Sequence, residues 1–167
     1  MKTYVVLLRG PPGVGKSSVA VYLSKVLPPP VFVIHKDDLH YHFPHRGKVP
    51  ANELITAMVP VLLRKGMSVI IDGVYGGKNS VSRISTLVRI ARTNKARFAV
   101  IFLHADKKTC LQRNNARTKK IPLKEVRKWY DYVYVASVQK GIKVNTVGKS
   151  QKQTFNEVRR LLKASGI

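Results

Sequence analysis

Short apolar runs alternate along the chain with segments whose apolar residues recur at helical spacing. The runs that predict strands are Tyr4–Leu8, Val31–His35, Ser68–Asp72, Arg97–Leu103 and, more weakly, Lys143–Val147. The segments that predict helices are Ser17–Leu27, Glu53–Lys65, Ser82–Thr93, Asp106 (as the N-cap) to about Arg113, Pro122–Val138 and Thr154–Ala164. Pro60 is expected to kink the second helix, and Gly66 is placed to end it.

Strands separated by helix-length segments indicate βαβ units, and therefore a parallel sheet with helices on both faces. The length of 167 residues and the apolar content of 44% are ordinary for one globular domain. No repeat, low-complexity segment or linker divides the chain. We therefore expect a single three-layer α/β domain over residues 1–167.

The composition shows no sign of a membrane or secreted protein. No run approaches the ~18 apolar residues of a membrane span. The stretch Tyr4–Leu8 is too short for a signal peptide. The single cysteine, Cys110, cannot form an internal disulfide and is expected to be a small apolar residue in or near a helix core. We expect a cytoplasmic protein with no membrane partner.

The net charge of the chain bears on what the protein binds. Thirty-one Lys and Arg stand against eight Asp and Glu, which gives a net charge of +23. Self-repulsion makes so high a net charge mildly costly to the folded state, and an enzyme that acts on a small metabolite does not need it. A polyanion benefits from it, because each neutralised phosphate releases counterions. Charge therefore favours a nucleic-acid partner, RNA or DNA, over a lineage-wide bias toward basic proteins.

The connection between the first strand and the first helix matches a phosphate-binding motif. Its residues Gly10-Pro11-Pro12-Gly13-Val14-Gly15-Lys16-Ser17 fit G-x-x-x-x-G-K-[ST] at every fixed position, and Ser18 follows. The glycines let backbone N–H groups turn inward around a phosphate, and the helix adds its N-terminal partial charge. Lys16 is expected to reach the β- and γ-phosphates of ATP or GTP, and the Ser17 hydroxyl to hold Mg²⁺.

Acidic residues follow the ends of two predicted strands. Ligands of a parallel sheet bind outside the carboxyl ends of its strands, so Asp72 is expected beside the phosphate loop. It either holds Mg²⁺, directly or through water, or is a turn residue. Asp37 and Asp38 follow the second strand. A carboxylate there can orient an acceptor hydroxyl and take its proton, or cap a helix that begins near Leu39.

Arg113 and Arg117 are four residues apart and are expected to share a helix face. Placed over a transferring phosphoryl group, two arginines stabilise the charge that spreads across its oxygens. The alternative is a solvated basic face, and the spacing fits both interpretations.

Histidines and aromatic residues form two further groups. The histidines His35, His40, His42 and His45 suit a substrate or phosphate site better than a structural metal site, because no cysteine and no tight helical pair with a third ligand accompanies them. Trp129, Tyr130, Tyr132 and Tyr134 are more typical of a helix core than of a base-stacking platform. Tyr130 and Tyr134 share a face and would stack a base if exposed.

Taken in order, these motifs resemble the polynucleotide kinase family, in particular the kinase domain of the phage 5′-hydroxyl polynucleotide kinases. The resemblance runs from Val5 to about Tyr132. It rests on the phosphate loop, Lys36-Asp37-Asp38, Ile70-Ile71-Asp72, Arg113-Asn114 with Arg117, and Ile121-Pro122. The phosphate loop alone is generic, whereas the ordered combination is fairly specific to this branch. Zeta-type toxins, seryl-tRNA kinases and antibiotic phosphotransferases are similar more loosely.

The resemblance implies an adenylate-kinase-like P-loop kinase fold, with a five-stranded parallel sheet in the order 2-3-1-4-5. It implies that Asp37 is the general base that activates the acceptor hydroxyl. Arg113 and Arg117 would belong to a lid over about residues 113–122 that closes on the donor nucleotide, with Arg117 near the γ-phosphate. The loop at about residues 148–151 would lie beside the donor base.

The chain departs from the family on the acceptor side. His40 stands where the family has an arginine that helps to hold the acceptor phosphate. We expect Asp38, His40, His42 and Arg46 to take over acceptor binding. Gly73-Val74 follow Asp72 where the family usually has a small polar pair.

The sequence thus predicts an ATP-dependent kinase that acts on the 5′-hydroxyl of a polynucleotide. A kinase of small molecules or tRNA on the same fold is the alternative, and a non-catalytic, nucleotide-dependent RNA-binding protein is a lesser one. The net charge favours a polyanionic acceptor.

Overall fold

The computed structural model describes residues 2–28, 30–41, 51–77, 79–135 and 141–167. Its strands are β1 (Tyr4–Arg9), β2 (Val31–His35), β3 (Ser68–Gly73), β4 (Arg97–His104) and β5 (Ile142–Asn145). Its helices are α1 (Lys16–Val26), α2 (Lys36–Tyr41), α3 (Ala51–Arg64), α4 (Ser80–Thr93), α5 (Lys107–Asn115), α6 (Leu123–Val135) and α7 (Gln151–Ala164). Each predicted strand and helix occurs, with boundaries that mostly agree within about two residues. The predicted end of the helix Pro122–Val138 lies outside the described residues.

The strands form one parallel sheet in the order β2-β3-β1-β4-β5. This confirms the predicted α/β class and strand order. The register aligns Asp72 of β3 with Leu8 of β1 on one side and with His35 of β2 on the other. The carboxyl ends of these three strands therefore meet at one edge, where the phosphate loop leaves β1.

Two apolar layers cover the sheet. Val6 and Leu8 of β1 face a core that includes residues of α1 and α7, whereas Val5 and Leu7 face a core that includes residues of α3 and α4. Successive strand residues point to opposite faces, so a strand buried on both faces must be apolar throughout. This is why the strands appear as unbroken apolar runs in the sequence. Cys110 is buried in the first core, as predicted.

Helix α2 differs from the expectation. It begins at Lys36, so Asp37 and Asp38 lie in its first turn and do not cap a helix at Leu39. A helix of six residues is too short to show a helical period in the sequence. The helix dipole favours acidic residues in a first turn, which agrees with the observed start.

Helix α7 begins three residues before the predicted start because of a capping box. The Ser150 hydroxyl accepts a hydrogen bond from the Gln153 N–H at 3.2 Å, and the Gln153 side chain accepts one from the Ser150 N–H at 2.8 Å. The S-x-x-Q signal was present in the sequence. The predicted N-cap Asp106 is confirmed, since its carboxylate accepts from the Thr109 N–H at 2.6 Å.

Helix α3 continues through Pro60 and ends at Arg64. Gly66 then takes a positive φ of 76°, and its N–H donates to the Leu63 carbonyl while that of Met67 donates to Leu62. This paired arrangement closes the helix, as predicted for Gly66. Within the described part of the chain, every helix is too short or too polar to cross a bilayer.

Candidate functional site

The phosphate loop needs glycine for reasons of space as well as conformation. Gly10 and Gly13 have φ values of 149° and 81°. A Cβ atom on Gly10 would collide with the Leu103 carbonyl oxygen of β4, and one on Gly13 with the Cys110 carbonyl oxygen of α5. The loop is therefore packed against β4 and α5.

Lys16 lies at the start of α1 and is only 7% exposed. Its ammonium donates to the Pro11 carbonyl of the loop at 3.0 Å. Burial lowers the pKa of Lys16, and the Asp72 and Asp37 carboxylates oppose that shift. A buried ammonium with one backbone partner retains donors for a phosphate.

Asp72 lies at the end of β3, is 5% exposed and pairs with His35 across the strand register. Its Oδ2 is 3.0 Å from Nδ1 of His35. Burial raises the pKa of Asp72, but the His35 hydrogen bond, the charge of Lys16 and the Ser17 hydroxyl outweigh it and hold the pKa below its usual value. The same hydrogen bond raises the pKa of His35. Asp72 is thus an ionised carboxylate linked to Ser17.

A cleft of about 570 Å³ opens at this edge of the sheet. It is lined by Ser17, His35, Asp37, Asp38, Asp72 and the segment Ala116–Ile121 other than Lys120, which includes Arg117. The cleft brings together the predicted metal-binding residues, the predicted general base and one arginine of the predicted lid. These come from four separate parts of the chain.

Arg113 lies elsewhere. Its guanidinium donates to the Thr146 hydroxyl at 2.8 Å and to the Thr146 carbonyl at 2.7 Å. It lines a smaller cavity of about 130 Å³ with Gly15, Ser18 and residues of the segment after β5 and of α7, among them Lys149 and Gln151. The predicted shared helix face is wrong, because α5 ends at Asn115 and Arg117 lies beyond it. The two arginines therefore line different cavities.

Asn114 belongs to the Arg113-Asn114 pair noted above, but the sequence analysis assigned it no role. It is fully buried, its amide donates to the Ile121 carbonyl at 2.8 Å, and its Oδ1 accepts from the Ile121 N–H at 3.0 Å. These two bonds, here called the Asn114 clamp, close the loop that carries Arg117. Apart from that pair, the sequence signal was a polar residue four positions after Cys110, on the buried side of α5.

The predicted acceptor residues are only partly described. Asp38 lines the cleft. His40 belongs to α2 but its side chain lies outside the described residues, as do His42, His45 and Arg46 entirely. In the ranges that the structure describes, no group of three or more His, Cys, Asp or Glu is placed to hold a metal ion.

The helix-core interpretation of the α6 aromatics holds only in part: Tyr130, Tyr132 and Tyr134 are half-buried, and Trp129 is exposed. Tyr130 and Tyr134 both donate their hydroxyls to the Ala105 carbonyl, at 3.2 and 3.1 Å, and their ring centroids are 4.7 Å apart. The rings pack on each other and tether α6 to the segment after β4.

The sequence matches a known family over most of its length. Residues 5–134 match the AAA_33 family, described as an AAA domain. The chain belongs to this family. The match covers the phosphate loop, the cleft and the Asn114 clamp.

Solved structures of similar shape include kinases and an RNA repair complex. A sugar kinase from Janibacter sp. is 12% identical, with 96% of this chain and 95% of that chain covered and a TM-score of 0.72. The APS kinase of Mycobacterium tuberculosis, in complex with AMPPNP and APS, is 15% identical, with 97% and 98% covered and a TM-score of 0.69. A chain of the Pnkp1/Rnl/Hen1 RNA repair complex is 21% identical, with 80% and 45% covered and a TM-score of 0.59. At these identities the likeness establishes the P-loop kinase fold.

Proposed function

We propose that this protein is an ATP-dependent kinase that transfers the γ-phosphoryl group to a hydroxyl, and that the acceptor is the 5′-hydroxyl of a polynucleotide. The observation that carries the proposal is the cleft in which Asp37 and Arg117 share walls with Ser17 and Asp72. A phosphoryl transfer needs a base for the attacking hydroxyl, positive charge for the transferring group and a phosphate cradle. The cleft holds a candidate for the base, Asp37, and one for the positive charge, Arg117, and it borders the phosphate loop at Ser17.

In this mechanism the donor phosphates lie along Gly10–Ser18, with Lys16 on the β- and γ-phosphates. Asp37 orients the acceptor hydroxyl and takes its proton as the bond to phosphorus forms. Arg117, on the lid of about residues 113–122, stabilises charge on the γ-phosphate oxygens. Arg113 serves the donor nucleotide instead, because it lies with Lys149 and Gln151 in the smaller cavity. GTP fits the same scheme.

The residues beside the loop fit Mg²⁺. One hydroxyl, Ser17, and one ionised carboxylate, Asp72, lie together, and Mg²⁺ in kinases is commonly held by one or two such oxygens together with the substrate phosphates. When bound, the ion would neutralise charge on the β- and γ-phosphates. His35 fixes one carboxylate oxygen of Asp72, which orients the carboxylate.

The net charge of +23 supports a polynucleotide acceptor. The RNA repair complex among the structures of similar shape is consistent with it. A small-molecule acceptor is the second candidate, favoured by the likeness to the sugar kinase and the APS kinase.

Transfer of label from γ-labelled ATP tests the proposal directly. The acceptors are RNA and DNA oligonucleotides with a 5′-hydroxyl, tRNA, nucleosides and sugars. We expect label on the oligonucleotides, and a loss of about 10²-fold or more in kcat for Asp37→Asn, since general-base catalysis contributes 10²–10⁴-fold. Asp131→Asn makes the same chemical change at an exposed residue outside the cleft and should be fully active. Label on sugars alone would refute the polynucleotide acceptor, and full activity of Asp37→Asn would refute the base.

A further inference from the structure

The edge of the sheet opposite the phosphate loop, where the strands begin, takes no part in the proposed reaction. Helices α1, α3 and α4 each run back to the start of the next strand, so they end at this amino edge, and α7 ends there too. The centre of this edge carries exposed cations from β1, β3, β4 and the adjoining helices. We call them the amino-edge face: Lys2, Lys65, Arg92, Lys95, Arg97 and Lys163.

Contacts between segments make this face one continuous surface. The Arg97 N–H donates to the Thr3 carbonyl at 3.0 Å, which places Lys2 beside the start of β4. Strand β3 lies on the other side of β1, so Lys65 flanks Lys2 from there. The Arg97 guanidinium lies against the end of α7, because a Cβ on Gly166 would be 2.8 Å from its Nη1. Cations that are distant in the sequence are therefore neighbours here.

Every acidic side chain of the protein lies elsewhere. All eight Asp and Glu fall within the described ranges. Six of them follow the carboxyl ends of strands or lie in the first turn of a helix: Asp37, Asp38, Glu53, Asp72, Asp106 and Glu125. The other two, Asp131 and Glu157, pair with Lys107 and Lys149, which follow the ends of β4 and β5. No carboxylate side chain therefore neutralises the amino-edge face.

Compensation of helix dipoles accounts for only part of this charge. Arg92 and Lys163 lie in the last turns of α4 and α7, where a cation is favoured. Lys2 and Arg97 lie before and at the start of strands, and a sheet has only a small net dipole. A surface of one sign instead concentrates ions of the other sign near it. The segregation of charge thus points to an anionic partner.

Lys95 provides a second, independent observation. Helices α3, α4 and α7 end in the same pair of backbone hydrogen bonds, and the left-handed residue of that motif is Gly66, Lys95 and Gly166 respectively. The φ of Lys95 is 55°, and among the described residues it is the one non-glycine residue with a positive φ. A side chain in this conformation is strained, and such strain is typical of positions with a function. The face thus holds a cation where glycine would close the helix at lower cost.

We propose that the amino-edge face binds the phosphate backbone of a nucleic acid, without reading its sequence and away from the cleft. Lysines and arginines on a surface without carboxylates neutralise phosphates and release their counterions. Five parallel strands at a spacing of about 4.8 Å make an edge about 19 Å long, the length of about six base pairs. The inference goes beyond the proposed function, because this face holds the protein on nucleic acid whether or not the cleft is occupied.

Fluorescence anisotropy with a DNA duplex that is closed by a loop at both ends tests the face. This probe has no 5′-hydroxyl, so it is not an acceptor for the cleft. The first variant is Lys95→Gln/Arg97→Gln/Lys163→Gln. The control variant, Lys108→Gln/Lys124→Gln/Lys152→Gln, removes the same charge from exposed residues in the first turns of α5, α6 and α7.

We expect the first variant to bind the duplex about tenfold more weakly or worse, and the control variant to bind nearly as the wild type does. The slope of log Kd against log salt concentration should fall by about 2 to 3 in the first variant, since each phosphate contact contributes about 0.9. Equal weakening in the two variants, or wild-type binding by the first, would overturn the proposal.

Lys95→Gly separates binding from folding, because its two expected effects have opposite signs. The melting temperature should rise by a few degrees as the left-handed strain is relieved, while duplex binding weakens as much as in Lys95→Gln. Lys95→Gln keeps the strain and should not raise the melting temperature. Unchanged duplex binding by Lys95→Gly would show that Lys95 is not part of the binding face.

Two further measurements distinguish this proposal from others. An anionic membrane would attract the same cations, so binding to vesicles of phosphatidylserine and phosphatidylcholine without binding to the duplex would overturn the proposal. Label transfer to a dinucleotide should proceed at the wild-type rate in the first variant, since the cleft is intact. Label transfer with unaltered duplex binding leaves the kinase and removes the face. Weakened duplex binding without label transfer by any of the proteins leaves the face and removes the kinase.

Discussion

The Asn114 clamp holds the loop that carries Arg117, and its removal is the most informative single perturbation. Asn114→Ala deletes the donor to the Ile121 carbonyl and the acceptor for the Ile121 N–H. Among the described residues, no side chain other than that of Asn114 forms a hydrogen bond to the segment from Ala116 to Ile121, so the loop should open.

The magnitude follows from the two bonds. Each intramolecular hydrogen bond contributes about 1 kcal/mol net, so the variant should lose about 2 kcal/mol of unfolding free energy. For a chain of this size that corresponds to a fall of roughly 4–8 °C in melting temperature. If all of this free energy is lost from the equilibrium between the closed and the open loop, the ratio of closed to open loop decreases by about 30-fold. The value of kcat/KM then falls by up to that factor.

Three measurements check this prediction. Thermal unfolding gives the stability loss, with Asn115→Ala, an exposed neighbour, as the matched control. Limited trypsin digestion should cut faster after Arg117, Lys119 and Lys120 in the open loop. Label transfer in a double-mutant cycle with Arg117→Gln shows whether the clamp acts through that arginine.

The double-mutant cycle can refute the proposed role of the Asn114 clamp. If the clamp serves to position Arg117, Asn114→Ala costs little further activity once Arg117→Gln has been made. An equal loss in both backgrounds would show that Asn114 acts by another route. Trypsin cleavage at the wild-type rate would show that the two bonds do not hold the loop closed.

The remaining predictions concern the phosphate loop and Lys36. Gly13→Ala should abolish nucleotide binding measured by calorimetry, because the added methyl group collides with the Cys110 carbonyl. Gly66→Ala is the control: Gly66 also has a positive φ, but a methyl group there meets no other atom, so this variant should lower only stability. Burial, followed by repulsion from Arg83, lowers the pKa of Lys36 to about 8. The unfolded state binds the Lys36 proton between pH 8 and about 10.4, so stability should rise with pH there, by up to about 3 kcal/mol. Burial raises the pKa of Tyr75, so this residue stays neutral over the same pH range. Arg83 and Asp37, the charges that act on Lys36, are present in both the wild type and Lys36→Met. Lys36→Met should flatten this rise in denaturant titrations; an unchanged rise would refute the assignment.

Much of the fold was determined by short stretches of sequence. The β1 and β3 runs are apolar throughout because both faces of the sheet are covered, and such runs are recognisable without any tertiary information. The glycine spacing of the phosphate loop and the aspartates after β2 and β3 are likewise local. Parallel strands end at one edge, so the meeting of Ser17, Asp37 and Asp72 followed from the topology.

Other features needed the packed chain. Helix α2 is too short to show a period, and Arg113 separates from Arg117 because α5 ends between them and Thr146, 33 residues away, takes the Arg113 guanidinium. The cations of the amino-edge face lie far apart in the sequence and meet only because the parallel sheet brings the starts of its strands and the ends of α4 and α7 to one edge.

The sequence by itself thus determined the elements, their order and the phosphate motif, because each depends on residues close together in the chain. The tertiary structure alone decided which arginine lines the cleft with the proposed base, which asparagine closes its loop and which lysine is buried over the Tyr75 ring. Those outcomes depend on burial and on contacts between distant segments. A buried charge or amide takes its role from the partners that packing leaves within its reach.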